Sequence, residues 1–163
     1  MNYFLVSMRY NRKNLEDYGL VYKDGKYIRP EDNTEWCERM FDFGWGDELG
    51  FYKIPLGSFD ELMTLVLNGV DAEDSYAAAA IILEDFPLEL KKYLLEYMNQ
   101  KVSFRDSFKR KKLSKKLTHF FYLERGNNLT AKEGMSTEQI NNEYKDWRNI
   151  ATYFDKFAFK LYR

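Results

Sequence analysis

The sequence predicts an α+β domain that is predominantly helical, with an N-terminal β-hairpin or small antiparallel sheet packed on a helical layer and a long C-terminal helix. Three observations predict it. Short β-prone runs rich in Tyr, Phe, Val and Ile, punctuated by Gly and Pro, occupy the beginning of the chain. Capped segments with apolar residues at steps of three and four occupy the remainder. At 163 residues and 45% hydrophobic, the chain has the size of one domain and enough apolar surface to bury a core without disulfide or metal support. We read residues 1–163 as a single domain, strand- and loop-rich over 1–56 and helical over 57–163.

Taken in order, residues 2–9 alternate weakly and predict a first strand. No basic region precedes this apolar run and no small-residue cleavage site follows it, so it does not read as a signal peptide. In "GLVYKDGKYIRP" two β-prone runs flank Asp24-Gly25, a two-residue hairpin turn, because glycine tolerates positive φ. Residues 33–43 fit a short helix capped by Asn33 or Thr34, with Trp36, Met40 and Phe43 as its buried side. "DFGWGDELGFYKIP" reads as a loop, or a loop with a short strand, since glycines break any helix there.

Ser58-Phe59-Asp60-Glu61 is a capping box opening a helix whose apolar face is Leu62, Leu65 and Val66, and Asn68-Gly69 ends it. "DAEDSYAAAAIILEDF" predicts a second helix with an acidic start and an alanine run that permits close packing. Pro87 opens a third through about Asn99, with Leu88, Leu90, Leu94, Leu95 and Met98 as candidate core. Ser103 is a plausible cap for a basic helix, and "ERGNNLTAKEGMS" is a loop. Ser136 with Gln139 forms another capping box before a final helix carrying Ile140, Tyr144, Trp147, Ala151, Phe154, Ala158 and Leu161 in register.

The net charge of −1 conceals a strong asymmetry. Residues 31–89 hold fifteen acids against two bases, whereas residues 101–163 hold fifteen bases against seven acids. Such polarity points to a charged partner or to one half of the fold docking on the other. The basic half centres on "FRDSFKRKKLSKKLTHFF" at 104–121. On a helix, Arg105, Lys109, Lys112, Lys116 and His119 fall on one stripe, and Leu113, Leu117, Phe120 and Phe121 on another side. Two readings stand: a solvated face, or a stripe that contacts nucleic-acid phosphates in a salt-sensitive way. No helix-turn-helix, zinc-finger or RNP pattern accompanies it.

No catalytic motif emerges. Cys37 and His119 are the only cysteine and histidine, which excludes tetrahedral Cys/His zinc sites and any internal disulfide. Asp71, Glu73 and Asp74 lack the spacing and glycine of a calcium loop and suit a helix start. "GWGDELG" lacks the Gly-Lys-Ser/Thr ending of a phosphate loop and reads instead as a turn exposing Phe43 and Trp45 beside Asp47 and Glu48, a protein-binding patch. No apolar stretch approaches the roughly 20 residues that span a bilayer, so no membrane partner is expected. We expect no cofactor and no metal, a cytoplasmic location and a non-enzymatic role.

The layout "GSFDELMTLVLNGVDAEDSYAAAAIILEDFP", residues 57–87, resembles segments of small bacterial immunity proteins that neutralise partner toxins. The resemblance implies a cytosolic, non-enzymatic protein that occludes a toxin active site, and it carries over no motif residue. The acidic, aromatic segment between about Glu31 and Glu61 would be the contact surface, with Trp36, Phe41, Asp42, Phe43, Trp45, Asp47 and Glu48 as its candidate residues. Carboxylates there would steer a basic toxin domain, and aromatics would anchor it. The competing function is a nucleic-acid-associated protein working through 103–121.

Overall fold

The structure, a computed structural model, describes residues 4–6, 18–42, 47–70, 72–101, 106–123 and 129–158. It is α+β: among the described residues five strands, β1 (Phe4–Val6), β2 (Val21–Lys23), β3 (Lys26–Arg29), β4 (Thr34–Asp42) and β5 (Asp47–Lys53), precede five helices. These are α1 (Phe59–Asn68), α2 (Ala72–Asp85), α3 (Pro87–Asn99), α4 (Ser107–Phe121) and α5 (Thr137–Ala158). Contacts divide the chain into two compact units, residues 1–81 and 82–163. The boundary falls inside α2, so α1 and most of α2 group with the sheet. Among the described residues no helix is long and apolar enough to cross a membrane.

In the first unit the strands form one antiparallel sheet in the order β1-β5-β4-β3-β2, a meander of β2 to β5 with β1 added beside β5. The Asp24-Gly25 turn forms as its residue types require, with φ of 52° and 81°, and pairs Lys23 with Lys26. The expected helix at 33–43 is instead the central strand β4, hydrogen-bonded to β3 on one side and β5 on the other. Asn33, offered as a cap, sits at φ 54°, outside the extended conformation an N-cap adopts, and closes the β3–β4 turn. Trp36 and Met40 share a helical spacing, yet the residues buried are Trp36 and Phe41, on opposite faces of the strand. The stretch after Gly46 is likewise a full strand.

One face of the sheet carries a small core of its own, with Leu20, Trp36 and Phe51 buried and Tyr18 and Tyr27 packed on them. The Phe51 ring lies 5.5 Å from Tyr18 and 4.9 Å from Tyr27 in edge-on geometry. Trp36 is held at both ends. Its indole N–H donates to Thr34 Oγ1 at 2.9 Å, and the Arg29 guanidinium lies 4.6 Å from its ring centroid. The Thr34 hydroxyl in turn donates to Asp32 at 2.6 Å, which lowers the carboxyl's pKa. On the opposite face Phe4 meets Phe41 edge-on at 6.1 Å.

The α1 capping box is present in both directions, and Leu62, Met63 and Val66 are buried. Gly69 ends the helix where α2 begins: the Ser75 hydroxyl donates to the Leu65 carbonyl at 3.0 Å, and a Cβ on Gly69 would lie 2.6 Å from that hydroxyl. Only glycine leaves room for this junction. Residues 77–82 of α2 are buried on every side of the helix, as the run of four alanines allows.

In the second unit Leu90, Leu94 and Tyr97 define the buried side of α3, which leaves Leu88 exposed nearly opposite, contrary to its expected core role. The Ser136–Gln139 capping box forms, with the Ser136 amide donating to Gln139 at 2.8 Å and the Gln139 amide to Ser136 at 3.2 Å. Along α5, Trp147, Ile150, Ala151 and Phe154 are buried, while Ile140 and Tyr144 near its start are exposed. Ser103, Leu161 and the Ala158 side chain lie outside the described residues.

Candidate functional site

Two surfaces were nominated by sequence, and each is built from a regular element. The first is the far end of the β4–β5 hairpin. Its register sets Met40 opposite Leu49 and Asp42 opposite Asp47, on the same face of the sheet, with Phe41 opposite Glu48 on the other. Of the nominated aromatics, Trp36 is 2% exposed and Phe41 0%, so both are core residues and neither reaches a partner. Phe43, Trp45 and the Asp47 side chain lie outside the described residues. Asp42 is exposed and Glu48 half-buried.

What the register places outside is aliphatic: Met40 is 52% exposed and Leu49 47%. They form a cross-strand apolar pair with acids on either side along the strands, Glu38 and Asp42 on β4. Glu38 accepts the Tyr27 hydroxyl at 2.6 Å, and that bond pushes the phenol's pKa up to about 12, leaving it protonated at any physiological pH. Sequence reading missed Met40 and Leu49 as surface residues because it placed 33–43 on a helix and Leu49 in a loop. Alternation along β4 does not separate them from the core, since Met40 shares a strand face with the buried Trp36.

The second surface is α4. Lys109, Lys112 and His119 are exposed and Lys116 is half-buried, in line along one side of the helix, while Leu117 and Phe121 are buried. Arg105 lies outside the described residues. The nominated stripe is therefore a real helix face in its described part.

Arg110 within the same run does something else. Its guanidinium donates to the carbonyls of Gln100 at 2.7 Å, Tyr97 at 2.5 Å and Met98 at 3.3 Å, at and just past the end of α3, the Tyr97 carbonyl also accepting the Gln100 amide. It also donates to the Tyr153 hydroxyl at 2.6 Å and lies 4.7 Å from the Tyr97 ring centroid. The Tyr97 hydroxyl returns a bond to the Arg110 carbonyl at 2.9 Å. A cation placed on these carbonyls satisfies them and complements the negative end of the α3 dipole, so this base ties α3, α4 and α5 together.

A further polar cluster, unmarked by any motif, joins α3 to α5. Lys91 Nζ sits 2.8 Å from Glu143 and 2.7 Å from Asp146. The fully buried Thr130 hydroxyl donates to Glu143 and accepts the Trp147 indole N–H at 2.9 Å. Burial opposes the charge on Lys91, but hydrogen bonds to Asp146 and Glu143 outweigh it and raise its pKa. The same Lys91 bond, with that from Thr130, holds the Glu143 carboxyl below its ordinary range. Every polar atom named here has a partner inside the unit, which makes the cluster a structural tie. Among the described residues no three His, Cys, Asp or Glu side chains gather as a metal site would require. No protein-family model, curated protein or solved structure matches the chain.

Proposed function

We propose that this chain is a non-enzymatic protein-binding module, an immunity protein that neutralises a cognate bacterial toxin by covering the toxin's active site with the end of the β4–β5 hairpin. The observation that carries the reading is the Met40–Leu49 cross-strand pair, two apolar side chains about half exposed on a regular sheet with acidic residues along the same strands. An apolar centre with a charged border is the usual anatomy of a protein interface. In this reading Met40 and Leu49 replace Trp36 and Phe41 as anchors, and Asp42, Asp47 and Glu48 attract a basic partner.

The partner to test is the product of a toxin-like reading frame adjacent to this gene. Co-expression with the wild-type chain restores growth to cells making that toxin. Met40→Ala combined with Leu49→Ala weakens the complex by more than tenfold while the fold is retained. Reversing Asp42, Asp47 and Glu48 to lysine slows association at low salt. Association rates unchanged by the reversal remove the steering argument, and full protection by the alanine pair removes the hairpin as the contact surface.

A further inference from the structure

Phe108 is 78% exposed, the most exposed aromatic side chain among the described residues, and it stands on α4 in the middle of the lysines. At about 100° per residue, Lys112 and Lys115 lie nearest to it along the helix, Lys111 flanks it on one side and Lys109 with Lys116 on the other. The buried side of α4, marked by Ser114, Leu117 and Phe121, points the opposite way. Lys109, Lys111, Lys112 and Lys115 make no ion pair among the described residues, and α4 contains no acidic residue. The helix thus presents one flat aromatic ring framed by cations, on a rigid element whose far side Arg110 clamps.

We infer that this face of α4 binds single-stranded nucleic acid, with Phe108 stacking on a base and Lys109, Lys112 and Lys116 contacting the adjoining phosphates. Base–aromatic stacking beside a basic track is the general chemistry of sequence-tolerant single-strand binding. A duplex is the poorer fit, because its bases are already stacked and a phenyl ring has no donor or acceptor for a groove edge. An anionic membrane is poorer still. Surface-lying helices insert a broad apolar face, and the apolar side of α4, Leu117 and Phe121, is buried inside the protein. Lys109 to Lys116 spans about 10 Å of helix, the length of a short tract of phosphates.

The experiment is fluorescence anisotropy of the full-length protein with a labelled oligothymidylate, the matching duplex, an abasic oligonucleotide and anionic phospholipid vesicles, across a salt series. The oligothymidylate binds best, and its log affinity falls with log salt at a slope of roughly −2, as three phosphate contacts on a single strand require. Phe108→Ala weakens it about tenfold, Phe108→Trp preserves it, and Lys109→Glu with Lys112→Glu abolishes it. Far-ultraviolet circular dichroism of each variant matches the wild type, since all three positions are exposed. The inference is overturned by no binding at low salt, by equal affinity for the duplex or the abasic strand, by Phe108→Ala binding as the wild type does, or by preference for vesicles. None of these variants touches the β4–β5 hairpin, so failure here leaves the toxin-binding proposal standing and success does not support it.

Discussion

The β4–β5 hairpin and α4 read alike as sequence, each a run of charges broken by aromatics, yet they sort those side chains in opposite ways. In the hairpin the aromatics Trp36 and Phe41 are inside, and the aliphatics Met40 and Leu49 face out. In α4 a base, Arg110, is turned inward onto carbonyls and a tyrosine, and an aromatic, Phe108, faces out. Residue type alone therefore does not decide exposure. The face a residue takes on a strand or helix decides it together with what covers that part of the face, as at Trp36 but not at Met40 on the same face of β4, and the inward position then recruits whatever chemistry can satisfy that residue. Trp36 finds Thr34 and Arg29; Arg110 finds the end of a helix.

The sharpest way to break this contrast is to truncate the inward and outward members of each element. Trp36→Ala costs about 3–5 kcal/mol by denaturant unfolding, whereas Met40→Ala costs about 0.5 kcal/mol or less. Equal losses at the two positions would mean that burial along this face of β4 is not distributed as described.

On α4 the expected pair is smaller but of the same form. Arg110→Ala costs about 2–3 kcal/mol, since it strips charge-assisted bonds from three carbonyls and Tyr153, and Lys112→Ala stays within about 0.5 kcal/mol. Arg110→Lys recovers only part of the loss, because an ammonium lacks the planar fork that reaches several acceptors at once.

The Lys91–Glu143 tie sharpens the comparison through pH. Glu143→Gln costs about 1–2 kcal/mol at neutral pH. Glu143 has a native pKa below its ordinary 4.5, so its contribution is complete above that value and is lost as pH falls through the lowered native pKa. Lys91 has the opposite sign: raised above 10.5, it contributes fully below that pH and loses the contribution as pH rises through the native pKa. The acid limb of a stability–pH profile should accordingly be shallower in Glu143→Gln than in the wild type. An unchanged limb would show that the carboxylate is not linked to folding.

Apart from the outward controls Met40→Ala and Lys112→Ala, the smallest loss is expected at the hairpin turn. Gly25→Ala, at φ 81°, costs about 1 kcal/mol, read as a lowered denaturation midpoint.

Much of the fold was legible from local signals. The Asp24-Gly25 turn, the Ser58 and Ser136 capping boxes, the stop at Gly69 and the start at Pro87 each depend on a few adjacent residues, and each appears where expected. The error at 33–43 has the same origin in reverse. Trp36 and Met40 imitate a helical step, and what makes the segment a strand is pairing with β3 and β5, chain segments that no local window contains. The nominated surfaces divide similarly. Lys109, Lys112, Lys116 and His119 share a face as helical spacing dictates, but no spacing marks Arg110 as a clamp, because its acceptors lie on α3 and α5.

By itself, then, the sequence determined the fold class, the helical stretches beyond residue 57 with ends at Ser58, Gly69, Pro87 and Ser136, the first hairpin and the concentration of opposite charges in different stretches. All of these rest on short-range sterics, capping and periodicity. Only the tertiary structure decided that β4 is the central strand, that Trp36 and Phe41 are core, that Met40, Leu49 and Phe108 face outward, and that Lys91, Glu143 and Thr130 meet. Those outcomes depend on burial and hydrogen-bond satisfaction between residues distant in sequence, which exist only after the chain has folded.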